Sequence, residues 1–367
     1  MARVAPGDGM TISEREIAKL RRSAWLGRLL RAEFWPRRVF YAPLVPYLLW
    51  QSARHGGITA PTAANPFIPH SGIVGESKDQ ILRALPEAWV MPWTLIPPGE
   101  VTQRLAQLDA HAERLGGYPL VLKPDAGERG AAVKIARSRD DAAEYLRAHH
   151  APTIAQQYHA GPFEAGVLWV REPGADRGRI FSITDKRFAV LEADGVRTLR
   201  EQVWRHPRYR FQAERYLVRL GPRADHIPPA GERVPLGLAG NHCQGTLFAD
   251  GEHLHTPALE AAFNEIGRAT PGLHFGRFDV RYASAEDLRA GRDFRIIELN
   301  GALAESTNIY DPSWPIWRMY RVLFEQWRTL YRIGGANARR GARITPIGEL
   351  WRIIRAHETS VSRTIAD

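Results

Sequence analysis

The sequence has almost no cysteine and no apolar run long enough for a membrane span. Its 367 residues include one cysteine, Cys243, which excludes a disulfide framework and any zinc site built from several cysteines. The apolar stretch at residues 39–50 is too short to cross a bilayer and is interrupted by two prolines. Residues 1–19 carry charges throughout and lack the apolar segment of a secretory signal. These absences favour a cytoplasmic protein.

Lysine is also scarce, although the chain is strongly basic. The net charge is +10 and the isoelectric point is about 10.0, which predicts anionic partners such as nucleotide phosphates, anionic lipid or nucleic acid. Charge alone does not choose among them. Where arginine dominates, a remaining lysine is a candidate for a position that needs a compact ammonium group rather than a planar guanidinium. The lysines are Lys19, Lys78, Lys123, Lys134 and Lys186.

The patterns along the chain predict three parts: residues 1–75, 76–331 and 332–367. In the first part, a Ser-x-x-Glu capping box at Ser13 predicts a helix to about residue 31. Further helices are expected at 78–85, 140–148 and 347–357, with an extended proline-rich connection after the first of these. Strands and helices alternate between about residues 118 and 331. The length and the 44% apolar content allow a sizeable core.

The aromatic and arginine-rich segment 25–54 has three readings. It can pack against the core, it can line an apolar substrate pocket, or it can lie at a membrane surface, because its apolar residues are flanked by Arg37, Arg38 and Arg54. The last reading leaves open a protein that is peripheral at the inner membrane surface.

Two segments near residue 290 contain the most informative motif. Residues 276–280 and 296–301 alternate apolar and polar side chains, which predicts strands, and the polar residues 287–293 between them predict a turn. Strand side chains repeat every second residue, so Glu298 and Asn300 share a face, and an antiparallel neighbour can bring Asp279 beside them. Such an oxygen cluster suits Mg²⁺. The alternative is an ordinary strand pair with exposed carboxylates.

A second motif joins a lysine to a glycine-rich loop. Residues 118–124 predict a short strand in which Lys123 is followed by Pro124, and the loop after it contains Gly127 and Gly130. The backbone N–H groups of such a loop can approach phosphate oxygens closely, with the lysine as a point charge beneath them. A hairpin loop without a ligand is the alternative. The segment matches neither the Walker pattern nor the Gly-x-Gly-x-x-Gly of dinucleotide sites.

The order of these motifs resembles the ATP-grasp superfamily, especially the D-alanine:D-alanine ligases and the RimK-like carboxylate–amine ligases. The order is strand-Lys-Pro, glycine-rich loop, hinge strand, Gly-Pro-x-Glu, Arg-x-Asp and Glu-x-Asn, and it covers roughly residues 76–331. The resemblance implies an α+β fold in which two subdomains hold ATP, here with a helical, non-Rossmann N-terminal region and a helical C-terminal tail. It also implies ATP with Mg²⁺, or Mn²⁺ in its place, as cofactors.

By this resemblance, each motif residue has an implied role. Phosphate contacts would come from Lys78, Lys123, Lys186 and the loop glycines, and adenine and ribose contacts from residues near 156–164. The family's pattern mostly has an acidic residue at Gln156 and a ribose carboxylate one place earlier than Glu164. The implied site comprises Lys78, Lys123, Gly127, Gly130, Gln156, Gln157, Tyr158 and Glu164 for ATP, Asp279, Glu298 and Asn300 for the metal, and Arg277 and Lys186 for catalysis.

The implied reaction is ADP-forming amide or peptide synthesis from a small carboxylate and a small amine through an acyl phosphate. The alternatives are a phosphotransferase of the same fold, and a non-catalytic binder of membrane or nucleic-acid surfaces. Cys243 stands beside His242, which allows covalent catalysis or an incidental cysteine. We expect no specific nucleic-acid partner, and a homo-oligomer is compatible with the sequence.

Overall fold

A computed structural model describes residues 14–29, 31–127, 132–237 and 245–366. Ser13, Gly130, His242 and Cys243 of the predictions lie outside these ranges. The chain divides into two compact units. The smaller unit comprises the described residues of Met1–Ala42, Lys186–Phe248 and Tyr310–Ile316, and the larger unit contains the rest. The division predicted at residues 75 and 331 stays a prediction.

The described chain is a mixture of helices and strands, which confirms the α+β class. The helices are α1 (Glu14–Leu29), α2 (Arg37–Tyr41), α3 (Val45–His55), α4 (Lys78–Ala84), α5 (Val101–Ala112), α6 (Arg139–Ala148), α7 (Leu199–Arg205), α8 (Ala213–Leu220), α9 (Pro257–Ala269), α10 (Ala285–Arg289), α11 (Ile316–Arg339) and α12 (Ile347–Ala366). The strands are β1 (Trp93–Ile96), β2 (Leu120–Pro124), β3 (Lys134–Ala136), β4 (Thr153–Gln157), β5 (Phe163–Val170), β6 (Arg179–Arg187), β7 (Val190–Glu192), β8 (Arg233–Pro235), β9 (Leu247–Asp250), β10 (Phe275–Tyr282) and β11 (Phe294–Asn300).

The first sheet of the larger unit has four strands in the order β1-β4-β2-β3, and the strand pairs are antiparallel. Its apolar face packs on α5 and α6, whose Leu105, Leu108 and Leu146 belong to the same buried cluster as Leu120 and Leu122. Helix α6 begins where the Ser138 side chain accepts a hydrogen bond from the Asp141 N–H, a standard N-cap. This packing fixes β2, the strand that contains Lys123.

The second sheet has five strands in the order β11-β10-β5-β6-β9. The side chains of β5 and β10 that point to one face, including Val167, Trp169, Phe278 and Val280, are buried against α9 through residues such as Phe263. The opposite face is divided. One end of this face is apolar and belongs to a buried cluster with Leu330 and Ile333 of α11. The other end of this face is polar.

A β-bulge in β11 separates the polar residues from the core residues. Asp279 pairs with Glu298, but the next residue, Val280, pairs with Ile296, so Ile297 has no partner across the ladder. An extra residue of this kind interrupts the two-residue alternation. As a result Ile296 and Leu299 both reach the apolar core, while Glu298 stays on the polar face.

The smaller unit has its own core. Helices α1, α7 and α8 and the two-stranded β7-β8 sheet surround a buried cluster that includes Val203, Trp204, Tyr216 and Leu217, and Ile17 and Leu20 of α1 pack against it. Helix α7 begins with a complete capping box between Thr198 and Glu201. The smaller unit therefore has a hydrophobic core formed by its own side chains.

Several elements differ from the sequence-based expectations. The helices near residues 14–29, 78–84 and 139–148 are present as expected. The connection after α4 contains β1 and α5 and is not simply extended. The segment expected as a turn at 287–293 includes the end of a short helix, α10, because Ser284 caps the N–H of Asp287. The last helix, α12, runs to Ala366, beyond the expected residue 357.

Candidate active site

The candidate active site lies on the polar face of the second sheet. Three rows of residues cross β5, β10 and β11 there: Arg277 pairs with Asn300, Asp279 with Glu298 and with Gly166, and Arg281 with Glu164. Successive rows are two residues, or about 7 Å, apart along the strands. The antiparallel pairing expected for β10 and β11 is thus present. The roles of the individual residues stay predictions.

Asp279 is the most buried carboxylate of the middle row. It is 6% exposed, and its Oδ1 accepts a hydrogen bond from Arg277 Nε at 3.1 Å, while Asn300 Nδ2 lies 3.4 Å from Oδ2. Gly166 of β5 leaves the space above this pair open, because a Cβ there would lie 3.0 Å from Arg277 Cδ and 3.3 Å from Asp279 Oδ1. A glycine within a strand often marks such a close approach.

Arg277 is oriented by two contacts. Besides Asp279, its Nη1 donates to the Glu305 carbonyl oxygen at 3.1 Å. Burial opposes the charge of this guanidinium, but Asp279 and Glu298 stabilise it, and the net effect is a raised pKa for Arg277. The side chain is therefore a permanent cation beside the two carboxylates.

Lys123 projects from β2 towards β11. Its Nζ donates to Gln156 Oε1 at 3.0 Å and to the Ile297 carbonyl oxygen at 2.9 Å. The carbonyl is available because Ile297 is the unpaired residue of the bulge. Both acceptors are uncharged, and the side chain is only 6% exposed. Burial lowers the pKa of Lys123, while Glu298 partly offsets this effect. An anionic ligand near this ammonium would restore the stabilisation that burial removes.

Lys78 reaches the same region from the first residue of α4. Its Nζ donates to the Gly127 carbonyl oxygen at 2.7 Å and lies 3.6 Å from Glu298 Oε1. A lysine at a helix N-terminus interacts unfavourably with the helix dipole. The presence of Lys78 there is therefore explained by its contacts and not by a contribution to helix stability. Asp125 accepts from the N–H of Asp79 at 2.7 Å and thereby ties α4 to the loop that follows β2.

The third row contains more positive than negative charge. Glu164 Oε2 lies 3.6 Å from Arg281 Nε, and Arg281 is directly opposite Arg295 in the β10–β11 ladder. Like charges that face each other in a sheet destabilise it, and the one carboxylate offsets this only in part. Burial, Arg281 and Arg295 together lower the pKa of His159. Hydroxyl or anionic groups of a ligand would be stabilised in this row.

The residues expected near adenine lie at the end of β4. Gln156 is 2% exposed, and its Nε2 lies 3.5 Å from the Met91 carbonyl oxygen. The Gln157 N–H donates to the Pro92 carbonyl oxygen at 2.8 Å, and Tyr158 follows as a half-buried residue. Gln156 thus links β4 to Lys123, and the adenine assignment of these three residues stays a prediction.

Lys186 is assigned to the smaller unit and is the first residue of that unit's second segment. It is 5% exposed and is the penultimate residue of β6. By the two-residue repeat it shares a face of that strand with Ser182 and Thr184. Its role at the γ-phosphate stays a prediction.

The segment after β11 is held in place by hydrogen bonds that the sequence motifs did not reveal. The Ala302 N–H donates to the Ser71 carbonyl oxygen at 2.7 Å, and the Ser306 N–H donates to Gln326 Oε1 at 2.8 Å. Gly301 is needed because a Cβ would lie 2.3 Å from the Ser71 carbonyl oxygen. Ser71 itself has a φ of 59°, a strained backbone for a serine. The N-terminal part of the larger unit therefore supports the residues next to Asn300.

The oxygen donors of the first and middle rows fit a hard divalent cation. Two carboxylates and one amide lie on one sheet face, and phosphate oxygens and water normally complete the shell of Mg²⁺. The amide nitrogen of Asn300 faces Asp279, and a half-turn of the amide would present Oδ1 instead. Among the described residues, no group of three or more His, Cys, Asp or Glu side chains could hold a metal ion. Binding would therefore depend on Asn300 and on oxygens from the nucleotide.

The site also contains residues that sequence reasoning missed: Gly166, Arg281, Arg295 and Ser71. Gly166 gave a usable signal, since it lies among the apolar residues 165–170 of its strand. Arg281 continues the two-residue repeat of Arg277 and Asp279, so it could have been found by extending β10. Ser71 gave none, because its contact with residue 302 joins distant parts of the chain.

Comparisons with known proteins identify similar solved structures only. No protein-family model and no curated protein matches the chain. A D-alanine–D-alanine ligase from Bacillus anthracis is 15% identical, covers 72% of this chain and 67% of its own, and has a TM-score of 0.39. This is one of the enzyme types that the sequence motifs resemble.

Two further structures were matched over smaller parts of their own length. A bifunctional glutathione synthetase from Pasteurella multocida is 16% identical over 68% of this chain and 35% of its own, with a TM-score of 0.38. A carboxyaminoimidazole ribonucleotide synthase from Aspergillus clavatus, complexed with ATP, is 14% identical over 65% of this chain and 48% of its own, also with a TM-score of 0.38. The chain thus spans from about a third to two thirds of the structures it matches. No helix among the described residues is both long and apolar enough to cross a membrane.

Proposed function

We propose that the chain is an ATP-dependent carboxylate–amine ligase of the ATP-grasp type, which forms an amide or peptide bond and releases ADP and phosphate. The proposal rests on the row of Asp279 and Glu298, which lies between Arg277 and Arg281 on one sheet face. Lys123 contacts a backbone carbonyl oxygen of β11, and Lys78 contacts the Glu298 carboxylate of the same strand. Four cationic groups around two acidic groups and an amide form an environment suited to a metal-bound polyphosphate.

The first step transfers the terminal phosphoryl group. An oxygen of the substrate carboxylate attacks the γ-phosphorus, the bond to the β–γ bridging oxygen breaks, and ADP leaves. Lys123 and Lys78 offset the charge of the phosphates. Asp279, Glu298 and Asn300 would hold Mg²⁺, or Mn²⁺, which when bound supplies further charge neutralisation. Lys186 is assigned to the γ-phosphate on the motif resemblance alone.

In the second step an amine nitrogen attacks the acyl carbon of the mixed anhydride. The nitrogen loses a proton, and the bond between the acyl carbon and the phosphate oxygen breaks, so that phosphate leaves. Arg277 is oriented by Asp279 and by the Glu305 carbonyl oxygen, and its remaining N–H groups can stabilise the oxyanion of the tetrahedral intermediate. Glu164 and Arg281 are assigned to the ribose end.

Hydroxylamine tests the proposal without knowledge of the natural amine. The full chain is incubated with ATP, Mg²⁺, hydroxylamine and each member of a panel of carboxylic acids, and ADP and hydroxamate are measured together. We expect at least one acid to give both products in equal amounts. ADP formation with a phosphorylated hydroxyl product would instead identify a phosphotransferase, and absence of ATP binding would refute both functions.

A further inference from the structure

The positive charge of the chain is concentrated in the smaller unit. The sequence ranges of that unit contain 20 arginines and lysines against 11 acidic residues, a net charge of +9 out of +10 for the whole chain. The candidate active-site residues other than Lys186 all belong to the larger unit. Binding of ATP at those residues therefore does not account for this excess, which suits a further anionic partner.

Helix α1 combines this charge with exposed apolar side chains. Ile17, Leu20 and Ala24 lie on the side that packs against the unit's core, and Gly27 allows the Phe211 ring to come within 2.4 Å of where a Cβ would be. Residues 22, 25 and 26 lie on the opposite side of a helix with 3.6 residues per turn. That side faces away from the packing surface.

The outward side of α1 carries a basic and apolar patch, which we define as Lys19, Arg22, Trp25 and Leu26. Trp25 is 59% exposed and Leu26 is 51% exposed, and both basic residues are exposed as well. The same unit also exposes Val39 at 56%, directly after Arg37 and Arg38 of α2. Apolar side chains interspersed with basic ones are typical of helices that lie in a membrane interface.

We propose that this patch docks the protein on an anionic lipid surface, with Trp25 and Leu26 inserted at the level of the headgroups and Lys19 and Arg22 bound to lipid phosphates. The inference does not depend on the proposed function. Tryptophan is enriched at membrane interfaces, and each basic residue near an anionic leaflet strengthens binding about fivefold.

The exposed apolar side chains favour lipid over single-stranded nucleic acid. Nucleobases bind by stacking on aromatic rings. Among the large apolar side chains that the described part of this unit exposes, Trp25 is the one aromatic residue, and the others are Leu26, Val39, Val196, Val218, Ile227 and Ile316. Aliphatic side chains provide no stacking platform, but they partition into an acyl-chain boundary.

Vesicle flotation tests the proposal. The full chain is mixed with vesicles of phosphatidylcholine alone or with a third phosphatidylglycerol, and the bound fraction is measured. We expect at least tenfold stronger binding to the anionic vesicles, and a further loss of roughly tenfold in the double variant Trp25→Ser with Leu26→Ser. The double variant Lys19→Gln with Arg22→Gln should lose at least tenfold on anionic vesicles only.

Ile58→Ser is the control, because Ile58 is 51% exposed, belongs to the nearly neutral larger unit and has no arginine or lysine within three residues of it. Its vesicle binding should equal that of the unmodified chain, and all variants should keep the same circular dichroism and ATP affinity. The proposal is overturned by equal binding to neutral and anionic vesicles, by unchanged binding of the Trp25/Leu26 variant, or by an equal loss in Ile58→Ser. Tighter binding to a single-stranded oligonucleotide that requires Trp25 would replace lipid by nucleic acid.

Discussion

The two units of this chain use charge in different ways. The larger unit contains 30 basic and 29 acidic residues, and its candidate site pairs several cations with carboxylates, as Arg277 with Asp279 and Lys78 with Glu298. The smaller unit has nearly twice as many basic as acidic residues, and part of that charge surrounds exposed apolar side chains on α1. Balanced charge suits a site that orients reacting groups, whereas excess charge suits attraction to a surface.

This difference changes how the basic isoelectric point is interpreted. A basic chain suggests that its charge serves the nucleotide, but the residues that would contact ATP are almost neutral in sum. Several site charges are oriented by a close partner of opposite sign, as Arg277 is by Asp279, so their contribution depends on geometry rather than on total charge.

The largest effect is expected for Glu298→Gln in the larger unit. It removes one of the two carboxylates of the middle row and the partner of Lys78 at 3.6 Å, and we expect turnover with Mg²⁺ to fall by roughly three orders of magnitude or more. Steady-state ADP release measures this, and circular dichroism checks the fold. Glu286→Gln, on the exposed side of α10, should have normal turnover. Near-normal ADP release by Glu298→Gln would remove the metal assignment.

The next effect concerns Arg277, which separates ligase from phosphotransferase chemistry. Arg277→Lys keeps the charge but loses the planar fork held by Asp279 and the Glu305 carbonyl oxygen. We expect Mg·ATP binding close to normal and amide or hydroxamate formation lower by roughly two to three orders of magnitude. Arg292→Lys, at an exposed arginine of the same unit, is the control. Equal losses in ATP binding and in product formation would assign Arg277 to the nucleotide instead.

Substitution of one lysine in each unit compares how the two units contribute to ATP affinity. Lys123→Ala should weaken ATP binding by roughly ten- to a hundredfold, because this buried ammonium has uncharged hydrogen-bond acceptors among the described residues and gains most from a phosphate. Lys19→Ala, in the basic unit, should leave ATP affinity unchanged. Isothermal titration calorimetry measures both values. Similar affinities for the two variants would mean that the excess charge, not the site, attracts the nucleotide.

The last effect concerns the stability of the smaller unit at alkaline pH. Burial raises the pKa of Tyr216 from 10.0 to about 12, and its hydroxyl donates to the Gly245 carbonyl oxygen at 3.0 Å. A raised pKa favours the protonated form in the fold, so this stabilisation is complete below pH 10 and is lost as the pH rises to about 12. We expect the loss to reach about 2–3 kcal/mol.

Urea denaturation at several pH values measures this change in the free energy of unfolding. Tyr216→Phe should make the decline above pH 10 smaller than in the unmodified chain. Tyr331→Phe, at a buried tyrosine of the larger unit, is the matched control. It should leave the pH dependence of the smaller unit's unfolding unchanged. Identical pH profiles for the unmodified chain and Tyr216→Phe would show that Tyr216 keeps no raised pKa in the fold.

Local patterns predicted part of the fold well. Helix α4 and the strands β10 and β11 follow from short-range signals, namely the spacing of apolar residues in the helix and the alternation of apolar and polar side chains in the strands. The patterns missed β1, because its four residues alternate over too short a range. They also missed α10, since its one turn was assigned to the polar connection.

The candidate site shows the same division. Asp279, Glu298 and Arg277 could be placed on one face because strand geometry repeats every two residues. The bulge at Ile297 could not be foreseen, since it arises from the pairing of Val280 with Ile296. That bulge provides the carbonyl oxygen that holds Lys123. The distribution of charge between the units was equally hidden, because the smaller unit is assembled from three separate segments of the chain.

The sequence by itself determined which residue types were available and which of them share a strand face, because covalent order and backbone geometry fix these relations over a few residues. Tertiary structure decided which strands are neighbours, where the ladder shifts by one residue, and which arginines belong to which unit. Those outcomes depend on the burial of apolar side chains that are far apart in the chain, such as Phe263 against Phe278. Packing of this kind acts through space, and no local pattern encodes it.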